Sequence, residues 1–210
     1  MRGRLLKVPP TKNTLLGLKR QVGMLEDGHA LLERKRELLT RLVYERIDGY
    51  RAQRRAARQA VRTAWEWLAI AQIRIGSHSL QQAALGTGQS VEVTILPRRA
   101  LGVQYPAVQA GPLPLKPVGL LGSDASLDEA RQTLTTAAVA LARLAESKTA
   151  LARLISEQRK AQKRVNALRY NIIPQYRDTI RYIESVLEEE ERNMLFQIKV
   201  LRQQDHRRAG

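Results

Sequence analysis

The feature that most constrains the fold of this chain is an apolar repeat at alternating steps of three and four residues between Thr11 and Ile75. Roughly three or four such heptads already favour a coiled coil, because the repeat keeps one apolar stripe facing a partner helix. The repeat continues well beyond that length, and at 1.5 Å per residue its helix would be about 95 Å long. It therefore predicts a helix that pairs with another helix and does not fold around a globular core.

A second heptad repeat occupies the C-terminal part of the chain, from Ser126 to His206. Its first residues, Ser126 to Glu129, have the pattern of a capping box, in which the Ser and Glu side chains satisfy backbone donors of the first turn. The repeat predicts a helix longer than the first, about 120 Å by the same rise per residue. Its positions include Leu134, Leu141, Met194, Ile198 and Leu201.

Residues 76–125 separate the two repeats and differ from them, with frequent Gly and Pro and few charges. Alternating β-branched residues predict a strand near 90–96, and LGVQYP predicts a second near 101–105, with loop elsewhere. We therefore predict a mainly α fold: a long antiparallel two-helix coiled coil with a small β-hairpin and loop region at its turn end. The three parts are an N-terminal helix, a hairpin and loop region, and a C-terminal helix, over residues 1–75, 76–125 and 126–210.

Antiparallel pairing places Thr11 beside Glu188 and leaves the end of the C-terminal helix without a partner helix. Pro174 should bend the helix locally, because it lacks the N–H that would bond to the Tyr170 carbonyl and its ring clashes there. The heptad phase resumes beyond it, which predicts a kink at Pro174 in a continuous helix. The coiled-coil seam near the termini is predicted to contain Leu15, Leu18, Val22, Leu25, Val165, Leu168, Ile172, Tyr176, Ile180, Ile183 and Leu187.

The residue types that support catalysis or metal binding are scarce and scattered. The three histidines, His29, His78 and His206, lie on separate segments, and the chain has no Cys. GTGQS at 86–90 follows no predicted strand and lacks the GK[ST] of a phosphate loop. We expect no catalytic residue, no metal and no cofactor. No apolar run approaches the roughly 20 residues that span a bilayer, so we expect no direct membrane insertion and a cytoplasmic location.

The chain carries a formal net charge of +16, which favours an acidic partner. Five arginines fall within about 100° of arc on the side of the first helix that faces away from the seam. They form an arginine stripe, which has three possible roles: a solvated face, a docking stripe for an acidic protein, or a contact with nucleic acid. No aromatic residues interleave with the stripe, which disfavours nucleic acid. The stripe consists of Arg51, Arg54, Arg55, Arg58 and Arg62.

Four segments of the chain resemble the D subunit of the rotary V/A-type ATPases, which is the central rotor shaft. They are PPTKNTLLGLKRQ near the start, GHALLERKRELL at 28–39, LGVQYP at 101–106, and RVNALRYNIIPQYRDTIRYIESVLEEEERNMLFQIKVLR at 164–202. The last is the most specific, and the resemblance extends over essentially the whole length. The arginine stripe looks peculiar to this chain.

The resemblance implies a non-catalytic protein that conveys torque and binds neither nucleotide nor nucleic acid. The implied partners are the catalytic and regulatory subunits of the ATPase head, the small F subunit of the stalk, and a socket subunit that links to the membrane rotor. The chain would then be peripheral to the membrane. The alternatives are a basic coiled-coil protein that binds nucleic acid and a related export-apparatus coiled coil. The stripe is the expected contact with stalk or socket, and the expected head contacts are Lys19, Arg20, Phe196, Lys199 and Arg202.

Overall fold

The computed structural model describes residues 5–117 and 124–208, with side chains through residue 203. In chain order its elements are helix α1 (Lys12–Gly86), strand β1 (Val91–Ala100), strand β2 (Val103–Pro112), helix α2 (Ala125–Ala167), a π-helical segment (Leu168–Ile172) and helix α3 (Ile173–Arg208). The fold is mainly α with a small two-stranded antiparallel sheet, as predicted. Parts of the three predicted regions, residues 1–4, 118–123 and 209–210, lie outside the described residues.

Helix α1 begins as predicted, with the Thr11 hydroxyl accepting a hydrogen bond from the Thr14 backbone N–H at 3.2 Å. Gly76 has φ 79° and ψ 159°, so two helices meet at this residue. Glycine reaches positive φ without the steric cost of a Cβ. The apolar repeat therefore ends where the first helix ends, but residues 77–86 are helical where the sequence predicted loop. Their SHSLQQAALG is rich in good helix formers.

Helix α2 is capped two residues before the predicted start. The Ala125 N–H donates to the Asp124 carboxylate at 2.8 Å, and the Ser126 hydroxyl donates to the same carboxylate at 3.1 Å. Ser126 is thus buried inside the helix, and the predicted capping box is wrong. Asp124 also accepts a hydrogen bond from Arg74 at 3.0 Å, which, with the Ser126 bond, holds the pKa of its carboxyl below the usual value.

Strands β1 and β2 form a hairpin whose register runs from Val91 opposite Pro112 to Ala100 opposite Val103. The two turn residues, Leu101 and Gly102, have φ of 52° and 78°. Positive φ at both positions is the geometry of a type I′ turn, whose twist matches that of the strands it joins. The predicted second strand begins too early, because Leu101 and Gly102 make the turn.

The chain forms two compact units, one of residues 37–158 and the other of residues 1–36 with 159–210. In unit 37–158, Leu39 and Leu154 are fully buried together with Val103 of β2, so the hairpin rests on both helices through β2. The Arg46 guanidinium donates to the Tyr105 hydroxyl at 2.8 Å and lies 4.7 Å from the centre of the Tyr105 ring. The hairpin is therefore attached to α1 by apolar burial and by a polar contact.

Alanines make up much of the buried helix seam in unit 37–158. Ala57, Ala64 and Ala71 are buried at intervals of seven residues on α1. Leu134 and Leu141, placed in the seam by the sequence, are 40% and 48% exposed. Leu127, Leu151 and Leu154 of α2 are buried instead, so the buried stripe of α2 in this unit differs from the one that the heptad register assigned. The alanines buried on the part of α2 that belongs to this unit are Ala130, Ala137 and Ala150.

In the unit of residues 1–36 with 159–210, α1 runs antiparallel to the C-terminal helical segments. An extended stretch, residues 5–11, also lies against α3: the Leu6 N–H donates to the Thr179 hydroxyl at 3.1 Å. Leu6, Val8 and Pro10 are half-buried while the residues between them are exposed, the alternation of an extended chain lying on a surface. This N-terminal strap helps to bury Thr179, which is 1% exposed.

Candidate interaction surfaces

The eleven predicted seam residues lie in the unit of residues 1–36 with 159–210, and each is buried or half-buried. Leu18, Val165 and Ile183 are at most 5% exposed. Leu168, Ile172, Tyr176 and Ile180 follow one another at three successive steps of four. A heptad seam alternates three and four, so this stretch carries one residue too many.

The π-helical segment coincides with that extra residue. The Ile173 N–H donates to the Leu168 carbonyl, the i to i−5 bond of a π-helix. A π-turn holds one more residue than an α-turn, so it absorbs the surplus and keeps the seam facing α1 beyond it. Pro174 follows directly, and its missing N–H falls where the regular hydrogen bonds are already displaced.

Ion pairs link α1 and the α3 helix at heptad intervals. Lys12 pairs with Glu191 at 2.8 Å, and Lys19 with Glu184 at 2.7 Å. Seven residues further, the polarity reverses, because Glu26 of α1 pairs with an arginine of α3, Arg177, at 2.6 Å. These three pairs form an ion-pair ladder. They place Thr11 about four residues, or roughly one helical turn, from the predicted pairing beside Glu188.

Lys12 and Glu191, the pair at the end of the ladder nearest the N-terminus of α1, are both charged at neutral pH. The hydrogen bond and the charge of Lys12 lower the pKa of Glu191, and Glu191 raises the pKa of Lys12 for the same reasons. Both side chains are exposed to solvent, so the pair sets which residues face each other more than it adds stability.

Beyond Glu191 the C-terminal helix has no α1 residue opposite it, because α1 begins at Lys12. The predicted head contact Phe196 is 68% exposed, and Lys199 and Arg202 are exposed as well. We call the part of α3 after Glu191 the C-terminal segment. Phe196 is the only apolar residue among the predicted head contacts, but other apolar side chains of this segment are exposed as well. The exposed apolar residues of the segment are Met194, Leu195, Phe196, Ile198 and Leu201. The heptad repeat already marks Met194, Ile198 and Leu201, although it gives them no partner.

The other two predicted head contacts, Lys19 and Arg20, lie on α1 and are exposed. Lys19 is engaged within the chain by its ion pair with Glu184. The predicted head contacts therefore differ in whether they already have a partner within the chain. Arg20 and the C-terminal residues present their side chains to solvent, whereas Lys19 belongs to the ion-pair ladder.

The arginine stripe lies on α1 in unit 37–158, and all five side chains are exposed. Its two ends are neutralised within the helix: Arg51 pairs with Asp48 at 3.2 Å and Arg62 with Glu66 at 3.0 Å. Over the described residues no ion pair reaches the remaining three, which are Arg54, Arg55 and Arg58. The positive charge of the stripe is therefore concentrated at its centre.

The described residues contain no group of three or more His, Asp or Glu close enough together to hold a metal ion. The buried Nε2 of His29 has no hydrogen-bond partner among them, and the Nδ1 lies 3.8 Å from Glu33. No helix among the described residues is long and apolar enough to cross a membrane.

A family model for the D subunit of ATP synthase matches residues 14–203 of this chain, which include both helical repeats and the hairpin. This chain belongs to the family of ATP synthase D subunits. One similar member is the D subunit of the A-type ATP synthase of Pyrococcus furiosus, 35% identical over 199 residues, with 93% of each chain covered.

Two further members, one of a V-type and one of an A-type enzyme, are also similar. The D subunit of the V-type ATP synthase of Thermotoga neapolitana is 32% identical over 199 residues, which cover 94% of this chain and 98% of the relative. The D subunit of the A-type ATP synthase of Methanopyrus kandleri is 30% identical over 197 residues, which cover 91% of this chain and 84% of the relative. The likeness therefore spans most of both partners in each comparison and is not confined to a coiled-coil pattern.

Proposed function

We propose that this chain is the non-catalytic central-stalk subunit of a rotary V/A-type ATPase or ATP synthase, and that it conveys torque between the catalytic head and the membrane rotor. The observation that carries the proposal is the match to the family of ATP synthase D subunits over residues 14–203. A generic basic coiled coil that binds nucleic acid, or an export-apparatus coiled coil, receives no support from that match.

In this proposal the function lies in mechanical coupling. The termini contact the catalytic and regulatory subunits of the head through Arg20, Phe196, Lys199 and Arg202. Lys19 is proposed as a further head contact, in addition to its ion pair with Glu184. The exposed apolar side chains of the C-terminal segment support this assignment, because exposed apolar clusters of this kind mark protein contacts. As the shaft turns, it presents a different side to each catalytic interface.

The seam supplies the stiffness that torque requires, since Leu18, Val165 and Ile183 are buried between antiparallel helices. Pro174, next to the π-helical segment, would give the helix a fixed bend close to the head. The hairpin end would face the socket subunit, and the arginine stripe would contact the small stalk subunit or the socket. The protein would lie in the cytoplasm, peripheral to the membrane.

Deletion of residues 195–210 tests this function. Mixed with the catalytic and regulatory subunits, the full chain should co-elute with them in size-exclusion chromatography. The deletion should weaken that association about tenfold or more, because it removes the apolar and basic contacts of the C-terminal segment. It should also lower the ion transport driven per ATP hydrolysed.

The matched control deletes residues 204–210 only, which leaves Phe196, Lys199 and Arg202 in place. Association of the control should equal that of the full chain. Failure of the full chain to associate with the head subunits would contradict the proposed function. Equal association of all three proteins would contradict the placement of the head contacts.

A further inference from the structure

Two large aromatic side chains flank the arginine stripe on the same side of α1. Tyr44, Arg51, Arg58 and Trp65 follow one another at intervals of seven residues, so they share one position of the heptad. Each directly follows a seam residue; Arg58 and Trp65, for example, follow the buried Ala57 and Ala64. The four side chains therefore form one row on the outer side of the helix.

The aromatic residues of this row are unusually accessible, with Tyr44 70% and Trp65 63% exposed. They are separated by 21 residues of sequence, or about 32 Å along the helix axis. Between them lie Arg54, Arg55 and Arg58, the arginines without an ion pair among the described residues. A partner that covers the aromatic rings removes large apolar surfaces from water, which favours binding. Covering a guanidinium group removes its hydration, and a carboxylate of the partner can offset that cost.

We propose that the stripe together with Tyr44 and Trp65 is a docking surface for an amphipathic helix of a protein partner, acidic at its centre and apolar towards its ends. The inference rests on the proposed function, and it specifies the chemistry of the partner surface that the arginine stripe would contact. Carboxylates spaced four residues apart on the partner would face Arg54 and Arg58, which have the same spacing. The two aromatic rings would pack against apolar side chains of the partner about 20 residues apart.

The composition of the surface favours a protein partner over a nucleic acid or a lipid surface. Trp, Tyr and Arg are the residues enriched where protein interfaces gain most of their binding energy. Nucleic-acid surfaces of the stacking type interleave aromatics with basic residues, whereas here the aromatics flank an uninterrupted basic centre. A helix that lies on a membrane needs its apolar face free, and the apolar face of α1 is buried against α2 in this unit.

Binding of two purified probes, the small stalk subunit and the socket subunit of the same complex, tests the surface by calorimetry. The triple variant Arg54→Glu, Arg55→Glu, Arg58→Glu should bind one of the two about tenfold or more weakly than the native chain, because three like charges then face the partner's carboxylates. Trp65→Ala should weaken binding to that same protein without changing its dependence on salt, since it removes apolar contact and no charge.

The matched control is Arg34→Glu, Arg143→Glu, Arg159→Glu, which makes the same change in net charge at three exposed arginines that are not members of the docking surface. It should bind as the native chain does. Native binding that neither the stripe variant nor Trp65→Ala weakens would overturn the inference and leave the proposed function standing. Failure of the native chain to bind either probe or the head would overturn both.

Duplex DNA and phosphatidylserine vesicles serve as two further probes for the other classes of acidic partner. The native chain and the control should bind them alike, with a steep dependence on salt that reflects net charge alone. A loss of DNA or vesicle binding that is specific to the stripe variant, with binding to both protein probes unchanged, would overturn the inference in favour of that partner.

Discussion

At the scale of single residues, heptad spacing predicted burial well near the termini and poorly on α2 in unit 37–158, where Leu134 and Leu141 are exposed. Leu18, Val165 and Ile183 are buried as their spacing implies. The strap was missed, because its contact joins Leu6 to Thr179 across most of the chain. Only the alternation of Leu6, Val8 and Pro10 hints at an extended segment, and three positions are too few to identify one.

The ion-pair ladder opposes a slip of the helices by one heptad, although each pair alone contributes little. A slip in one direction would bring Glu26 opposite Glu184. A slip in the other would bring Lys19 opposite Arg177. The reversed polarity of the Glu26–Arg177 pair therefore makes the native register the one in which all three pairs attract.

A charge-swap cycle at this pair tests the ladder. Glu26→Lys and Arg177→Glu should each lower the free energy of unfolding by roughly 0.5–1 kcal/mol, since each places like charges opposite one another at a partly exposed site. The double swap should recover most of that loss, with the recovery largest at low salt. Urea unfolding of the four proteins measures the cycle. Additive losses in the double variant would show that the two side chains do not interact.

At the scale of elements, the sequence predicted two helical repeats and a hairpin. It did not predict the π-helical segment between α2 and α3 or the residue that caps α2. The extra residue between Leu168 and Ile180 is visible in the spacing, yet spacing alone does not say whether it is absorbed by a bend or by a π-turn. The cap of α2 was misplaced because Asp124, Ser126 and Asp128 can each cap a helix, and the ion pair of Asp124 with Arg74 comes from a distant segment.

The variant Pro174→Ala separates the effect of the proline from that of the extra residue. Without the ring clash at the Tyr170 carbonyl, the helix should straighten at 170–174. The π-helical hydrogen bond from Ile173 to Leu168 should persist, because the seam spacing that requires it is unchanged. Crystal structures of the variant and of Asn171→Ala, an exposed control in the same segment, provide the measurement. If the helix axis of the Pro174→Ala variant is identical to that of the Asn171→Ala control, Pro174 does not bend the helix.

At the scale of the whole molecule, the proposed role is mechanical and depends on surfaces that other subunits contact. The exposed surfaces are the C-terminal segment and the arginine stripe with Tyr44 and Trp65 beside it. Family membership was accessible from sequence because the resemblance lies in order and spacing over most of the chain. The sequence does not predict which surface contacts which partner, because an exposed arginine occupies the same heptad positions whether it faces solvent or an interface.

The central claim is rotation, and one labelled residue can test it most directly. The chain has no Cys, so Leu85→Cys, at a position 89% exposed, gives a unique attachment point for a bead. With the head immobilised on a surface and ATP supplied, the bead should turn continuously in one direction, and it should stop when ATP is withdrawn. A bead that remains fixed relative to the head while the same complexes hydrolyse ATP would contradict the account.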